Sequence, residues 1–195
     1  METKIIPNKP DENIETVFEN KYVTVRLVPS IWGPHVSVQS GTGKGAVVIV
    51  ANKTENETKI LFVNQPRFAL TTDNKKHNGF YTWELPRGGA NNGESLFDTA
   101  KREVEEETNI ILTDEKIHHL GTSYTDTGIF NSEIDYFYVE FENINLDSVK
   151  YNDNEIIEHV WVSFNEVKDA IKNDVIKDNY TIVAFTKALL KGLIP

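Results

Sequence analysis

The chain contains no cysteine, so disulfides, thiolate metal sites and thiol nucleophiles are all excluded. It has no apolar run of the roughly 20 residues that a membrane-spanning helix needs. Its opening, "METKIIPNKPDENIE", is polar and acidic rather than a signal peptide. A cytoplasmic protein without a membrane partner is therefore the expectation. Basic residues are in the minority: 20 Lys and Arg against 30 Asp and Glu give a formal net charge of -10. That balance argues against nucleic acid as a partner, because general nucleic-acid binders usually show a basic face. It suits divalent cations, and it equally suits plain solubility. Internal repeats and low-complexity tracts are also absent. What is present is 195 residues, 39% apolar, with 10 Phe, 7 Tyr and 3 Trp. That suffices for one large cored domain, or one domain plus a small appended unit.

Alternation over "VFENKYVTVRLV" (17–28) predicts one strand, and "HVSVQS" (35–40) predicts a second, together a small antiparallel unit. "GTGKG" (41–45) reads as a flexible junction, which sets expected boundaries of 1–45 for the arm and small unit and 46–195 for the main domain. "AVVIVANK" (46–53) is a β-branched run typical of a fully buried strand, with "KILFVNQ" (59–65) as its partner. Further strands are expected at "FYTWELP", "HHLGTSYT", "IDYFYVEFENI" and "EHVWVS". Ser163 and Glu166 form an S-x-x-E capping box at the head of a helix, and a last helix is expected over roughly 179–191. With one helix placed among the strands, the class is α+β, an α/β/α layered domain.

That inserted helix carries "REVEEET" (102–108), a run of like charge that costs roughly 0.2–0.5 kcal/mol per neighbouring pair. Ser95 suits its N-cap. At roughly 100° per residue, Leu96, Phe97, Ala100 and Val104 define the buried side. Glu105 points to solvent, Glu103 lies at the border, Glu106 just beyond it, and Glu107 falls inside the buried face. An ionised carboxylate there needs a partner. Arg102 or a lysine supplies it in one reading; a hard divalent cation does so in the other.

Upstream, "RGGANNGE" (87–94) is turn-rich, so that backbone can approach a ligand. Joined to the helix it gives G-x5-E-x7-R-E-U-x-E-E-x-N-U, where U is aliphatic, with Gly88, Glu94, Arg102, Glu103, Val104, Glu106, Glu107 and Ile110 at the fixed positions. This resembles the Nudix box, with Asn109 where the box has its late glycine; Asn is the next best residue for a left-handed helix end. The resemblance implies hydrolysis of a nucleoside diphosphate linked to another group, with Mg²⁺ or Mn²⁺ and an attacking water. It implies Glu103, Glu107 and the Arg87 carbonyl as metal ligands, Glu106 as a ligand directly or through water, Glu94 in support and Arg102 orienting the glutamates. "NQPRF" (64–68), "WELPRGG" (83–89) and the tail "DNEIIEHVWVSFNEVKDAIKNDVIKDNYTIVAF" look like the ADP-ribose pyrophosphatase branch. In that branch the substrate is a nucleotide sugar and a small leading β unit often builds a homodimer. The likeness implies Arg67 at the diphosphate or nucleoside, Glu84 at the sugar or adenine, and Gly88 and Gly89 close to substrate. Glu155, with Glu158 in reserve, is implied to complete the metal site or act as base. One departure stands in the downstream loop "SYTDTGIF", where Thr127 precedes Gly128 in place of a proline.

Other signals are weaker. "GTGKG" fails as a phosphate loop, because Val38 stands where a glycine is required and Gly45 where Ser or Thr is. His118 and His119 are adjacent and face opposite sides of a strand. His35, His77 and His159 are isolated. Trp32, Trp83 and Trp161 are expected in the core or a dimer interface, with Trp32 also placed to wall an adenine site in a dimer. Tyr124 is expected as a strand-end core residue or a stacking partner for a base.

Overall fold

The computed structural model describes residues 14–67, 80–142, 144, 156 and 158–195. β1 (Glu15–Glu19), β2 (Val23–Val28) and β3 (His35–Ser40) pair in that order as an antiparallel sheet. The single strand expected over 17–28 is broken at Asn20. Its side-chain oxygen accepts the N–H groups of Tyr22 and Val23 at 2.8 and 2.9 Å, so a short polar side chain replaces the ladder and turns the chain.

The second sheet contains β4 (Lys44–Lys53), β5 (Thr58–Arg67), β6 (Phe80–Glu84), β7 (Arg87–Gly89), β8 (Ile117–Tyr124), β9 (Glu133–Glu142) and β10 (Glu158–Ser163). Its path is β10-β5-β4-β9-β8, with β6 on β5 and β7 on β4. β4 and β9 run parallel, and the remaining pairs are antiparallel. Lys44 and Gly45, read from sequence as junction, belong to β4.

Helix α1 (Leu96–Thr108) covers one face, and α2 (Phe164–Lys172) and α3 (Asn179–Leu190) cover the other. β4 is therefore buried on both sides, which is why its sequence is a continuous apolar run. Ala46, Val48 and Val50 pack with Ala100 and Val104 of α1. Val47, Ile49 and Ala51 pack with Phe164, Val167 and Phe185. The result is the expected α/β/α sandwich with the small β unit ahead of it.

The helix ends follow the sequence signals. The Ser95 side chain accepts from the Asp98 N–H, and Asn109 is left-handed at φ 59°. Ser163 and Glu166 make the reciprocal capping box. Asp178, an N-cap the sequence reading missed, accepts from the Thr181 N–H at 2.9 Å.

One break in the sheet positions the site. β4 and β5 pair only through residues 51–53 and 58–60 and then diverge. The segment of β6 and β7 fills the gap, with Glu84 opposite Val63 of β5 and Arg87 opposite Val47 of β4. Pro86 bends the segment between the two partners, and its carbonyl accepts from Val48 N–H at 2.9 Å. β7 is thus held beside α1, where the sequence suggested only loop.

Candidate active site

Glu107 is 5% exposed although it is a carboxylate. Its Oε2 accepts the Arg87 backbone N–H at 3.2 Å, and its Oε1 accepts the side-chain amide of Gln65 on β5. Gln65 is itself buried, and nothing in its local sequence signals that it faces α1. Neither partner carries a formal charge, and no ion pair to Glu107 occurs among the described residues. Burial pushes its pKa up to about 8, and the nearby Glu103 charge adds to the rise. Burial raises the Glu103 carboxyl as well, against the opposing pull of Arg102.

Glu103 lies directly against Gly88. A Cβ on Gly88 would stand 2.1 Å from the Glu103 carboxyl carbon, so only glycine leaves room for the carboxylate there. Across β4, a Cβ on Gly45 would stand 2.8 Å from the Gly88 carbonyl oxygen. Close backbone approach, rather than a special φ, is what these two glycines provide.

Arg102 gathers the rest of the acidic cluster. Its guanidinium donates to Glu94 at 2.9 and 3.0 Å, to Glu103 at 2.7 Å, to Glu106 at 2.8 Å and to the Gly89 carbonyl at 2.8 Å. Hydrogen bonds from Arg102 and the Asn91 backbone hold Glu94 down at about 2. Arg102 therefore ties the glycine-rich loop to the helix, and it does not reach Glu107. Glu106 is half exposed and paired with Arg102. It shares the Arg102 Nη1 with Glu103, which sets those two carboxylates side by side.

On the sheet side, Glu84 is 2% exposed and fully engaged. Its Oε1 accepts from Arg67 at 2.9 Å and from the Thr82 hydroxyl, and its Oε2 accepts from Arg67 and from Arg87 at 2.8 Å. Burial works to raise the Glu84 pKa, but the two guanidinium groups outweigh it and the net direction is down. Arg87 also stacks on Tyr180 at 4.4 Å and lies 3.7 Å from Asp178, both at the head of α3. Glu84 was expected to touch sugar or adenine; it instead sits behind two arginines and holds them.

Part of this cluster lines a cavity of about 660 Å³, while Glu84, Glu94, Arg102 and Glu106 stand outside its lining; that volume is within the range of small-molecule sites. Glu103, Glu107, Arg67, Arg87, Gly88 and Gly89 form one wall. The NUDIX domain profile matches residues 42–183, well over half of the chain. This chain belongs to the Nudix family. Nudix hydrolase 7 from Arabidopsis thaliana is 29% identical over 127 residues, 65% of this chain and 40% of that protein. The chain thus spans well under half the length of that curated relative. A MutT/nudix family protein from Enterococcus faecalis superposes with a TM-score of 0.48 at 18% identity, over 62% of this chain and 43% of that one.

The donor set of this Nudix site suits a hard divalent cation that substrate helps to hold. Among the described residues no three acidic or histidine side chains converge as a ready-made metal cage. Two carboxylates do share one cavity, however, and one of them is buried with no ion-pair partner among the described residues. Mg²⁺ is commonly held by one or two carboxylates with waters and substrate phosphates completing its shell. The residues fit. Arg87 supplies a further donor: its N–H already points off the ladder to Glu107, and in an extended strand its carbonyl projects to that same side.

Glu155 lies outside the described residues, as does His77. Glu158 is exposed at the start of β10. Trp83 and Trp161 pack against the two cores, whereas Trp32 is 84% exposed and Tyr124 is exposed at the end of β8, so neither is a core residue. No described helix is long and apolar enough to cross a membrane.

Proposed function

We propose that the chain hydrolyses the diphosphate of a nucleoside diphosphate derivative, with ADP-ribose as the leading substrate and AMP and ribose 5-phosphate as products. The observation that carries this reading is Glu107: a buried carboxylate beside a second carboxylate, with no base paired to it among the described residues, on the wall of a cavity that also presents two arginines. A solvated acidic helix does not explain it, because burial of an unpaired carboxylate is costly. The reading includes Mg²⁺ or Mn²⁺ bound by Glu103, Glu107 and the Arg87 carbonyl, with Glu106 joining directly or through water, a homodimer built through the small β unit, and a cytoplasmic setting. When bound, such a cation neutralises the diphosphate and lowers the pKa of an attacking water.

The chain's own residues do the rest. Arg67, fixed by the bidentate pair with Glu84, presents its charge to the diphosphate without a rotamer search at binding. Arg87 is locked by Glu84 and Tyr180, which keeps its backbone N–H on Glu107. Arg102 holds Glu103 against Gly88. The water oxygen forms the new bond to one phosphorus, the bridging P–O bond breaks, and a carboxylate receives the water proton. Glu155 is assigned that role by family likeness, with Glu158 in reserve. A binder that does not turn over is the second reading, and the complete set of Arg102, Glu103, Glu106 and Glu107 weighs against it. Phosphate release from ADP-ribose, read with Mg²⁺ and a coupled phosphatase beside a panel of nucleotide sugars, tests both. Turnover abolished in Glu107→Gln with the fold retained supports the site. Full turnover in that variant refutes it, and no hydrolysis of any substrate by the wild type favours the binder.

A further inference from the structure

The cavity has a second wall that the reaction chemistry leaves without a role. Its floor is the start of β4, with β7 on one side and the start of β9 on the other. Neighbouring strands lie about 4.8 Å apart, so β7 and β9 run roughly 10 Å from each other on either side of that floor. The far wall is the loop ahead of β9, where Thr125, Asp126, Phe130 and Ser132 line the cavity. Phe130 is 45% exposed there. Its neighbour Ile129 is equally exposed but does not line the cavity.

This loop is not loosely hung. The Phe130 N–H donates to the Asp126 carbonyl at 2.8 Å, and the Gly128 N–H donates to the Asp126 side chain at 2.8 Å. Thr125 and Ser132 bond to each other across the loop's base. The small N-terminal sheet then fixes it from outside. Val38 of β3 forms a parallel bridge to Phe130, donating to the Ile129 carbonyl at 2.8 Å and accepting from the Asn131 N–H at 2.9 Å. A loop templated by backbone bonds on both sides holds its side chains in fixed directions. Its polar groups bond largely to one another, so an aromatic face is what it offers a ligand.

The geometry points to Phe130 as the stacking platform for the base of the nucleotide, held in place by β3. The inference rests on the nucleoside diphosphate reading above and names what grips the end of the substrate remote from the carboxylates. An aromatic face across the cavity from the diphosphate wall suits a planar base, because base–aromatic stacking is tolerant of sequence and strong enough to matter. On this account the N-terminal unit acts on the site through the Val38–Phe130 bridge, whatever its role in assembly.

The test is calorimetric binding of α,β-methylene ADP and of inorganic pyrophosphate to the intact chain, with Phe130→Ala and Phe130→Tyr compared against the wild type. A half-exposed side chain contributes little to folding, and equal thermal midpoints verify that. The expected result is about tenfold weaker binding of the nucleotide by Phe130→Ala, near-normal binding by Phe130→Tyr, and unchanged binding of pyrophosphate by both. Equal nucleotide affinity in Phe130→Ala and wild type overturns the assignment, as does parallel weakening of nucleotide and pyrophosphate. A wild type that binds the nucleotide through Phe130 yet hydrolyses nothing leaves this inference standing while the hydrolase reading fails.

Discussion

Replacing Glu107 with Gln in the metal-free protein should raise its stability at neutral pH. The Glu107 carboxyl titrates near 8 in the folded chain against 4.5 for a free side chain. A raised folded value means the unfolded state gives up its proton first. The Glu107 contribution to stability is thus highest below pH 4.5, falls as pH climbs through the interval to about 8, and is level beyond it. At 1.36 kcal/mol per pH unit, the accumulated loss is about 3 kcal/mol at pH 7. Glu103 shifts in the same direction and adds to it. An amide at position 107 removes the Glu107 share, and the Gln65 amide can turn to meet it. Urea unfolding followed by tryptophan fluorescence at pH 5, 6, 7 and 8, in chelator, measures the effect. Wild type should lose stability across that series while Glu107→Gln changes far less, and Mg²⁺ with substrate analogue should flatten the wild-type curve, since a ligand bound only by the folded state stabilises it. Parallel pH profiles for the two proteins would refute the reasoning.

Other outcomes follow from the same geometry. Gly88→Ala should fold with a near-normal urea midpoint, because the Glu103 carboxylate can swing away from the new methyl, yet lose on the order of 100-fold in turnover by displacing that carboxylate. Glu84→Gln should cost roughly 3 kcal/mol of unfolding free energy by leaving two guanidinium groups short of their buried partner, and should raise KM through a mobile Arg67. Arg102→Ala should lower the thermal midpoint and turnover together, since Glu94, Glu103, Glu106 and the Gly89 carbonyl lose one shared donor. Arg102→Lys should recover only part of either, because an ammonium cannot reproduce the fork.

What the sequence made legible was whatever depends on local spacing. The helix from Ser95 to Asn109, its buried glutamate and its left-handed end all follow from a 3.6-residue period and from side chains that cap their own backbone. The double burial of β4 was likewise written in its unbroken apolar run. Features that depend on distant strands were not legible. Gln65 reads as one more strand residue, and only the register of β5 against α1 turns it toward Glu107. Glu84 looked free for a ligand because nothing local reveals that Arg67 and Arg87 arrive on either side of it. The short β7 was hidden in a glycine-rich segment whose composition signals a turn; it pairs because β4 and β5 part and leave β4 hydrogen-bonding groups to satisfy.

The most direct test of the metal-site claim is to locate Mn²⁺ by anomalous scattering in crystals grown with the ion and a non-hydrolysable ADP-ribose analogue. The account predicts an ion bound by the Glu103 and Glu107 carboxylates and the Arg87 carbonyl, with the diphosphate on its open side. An ion bound elsewhere, or a diphosphate seated in the cavity with no ion beside Glu107, would contradict it.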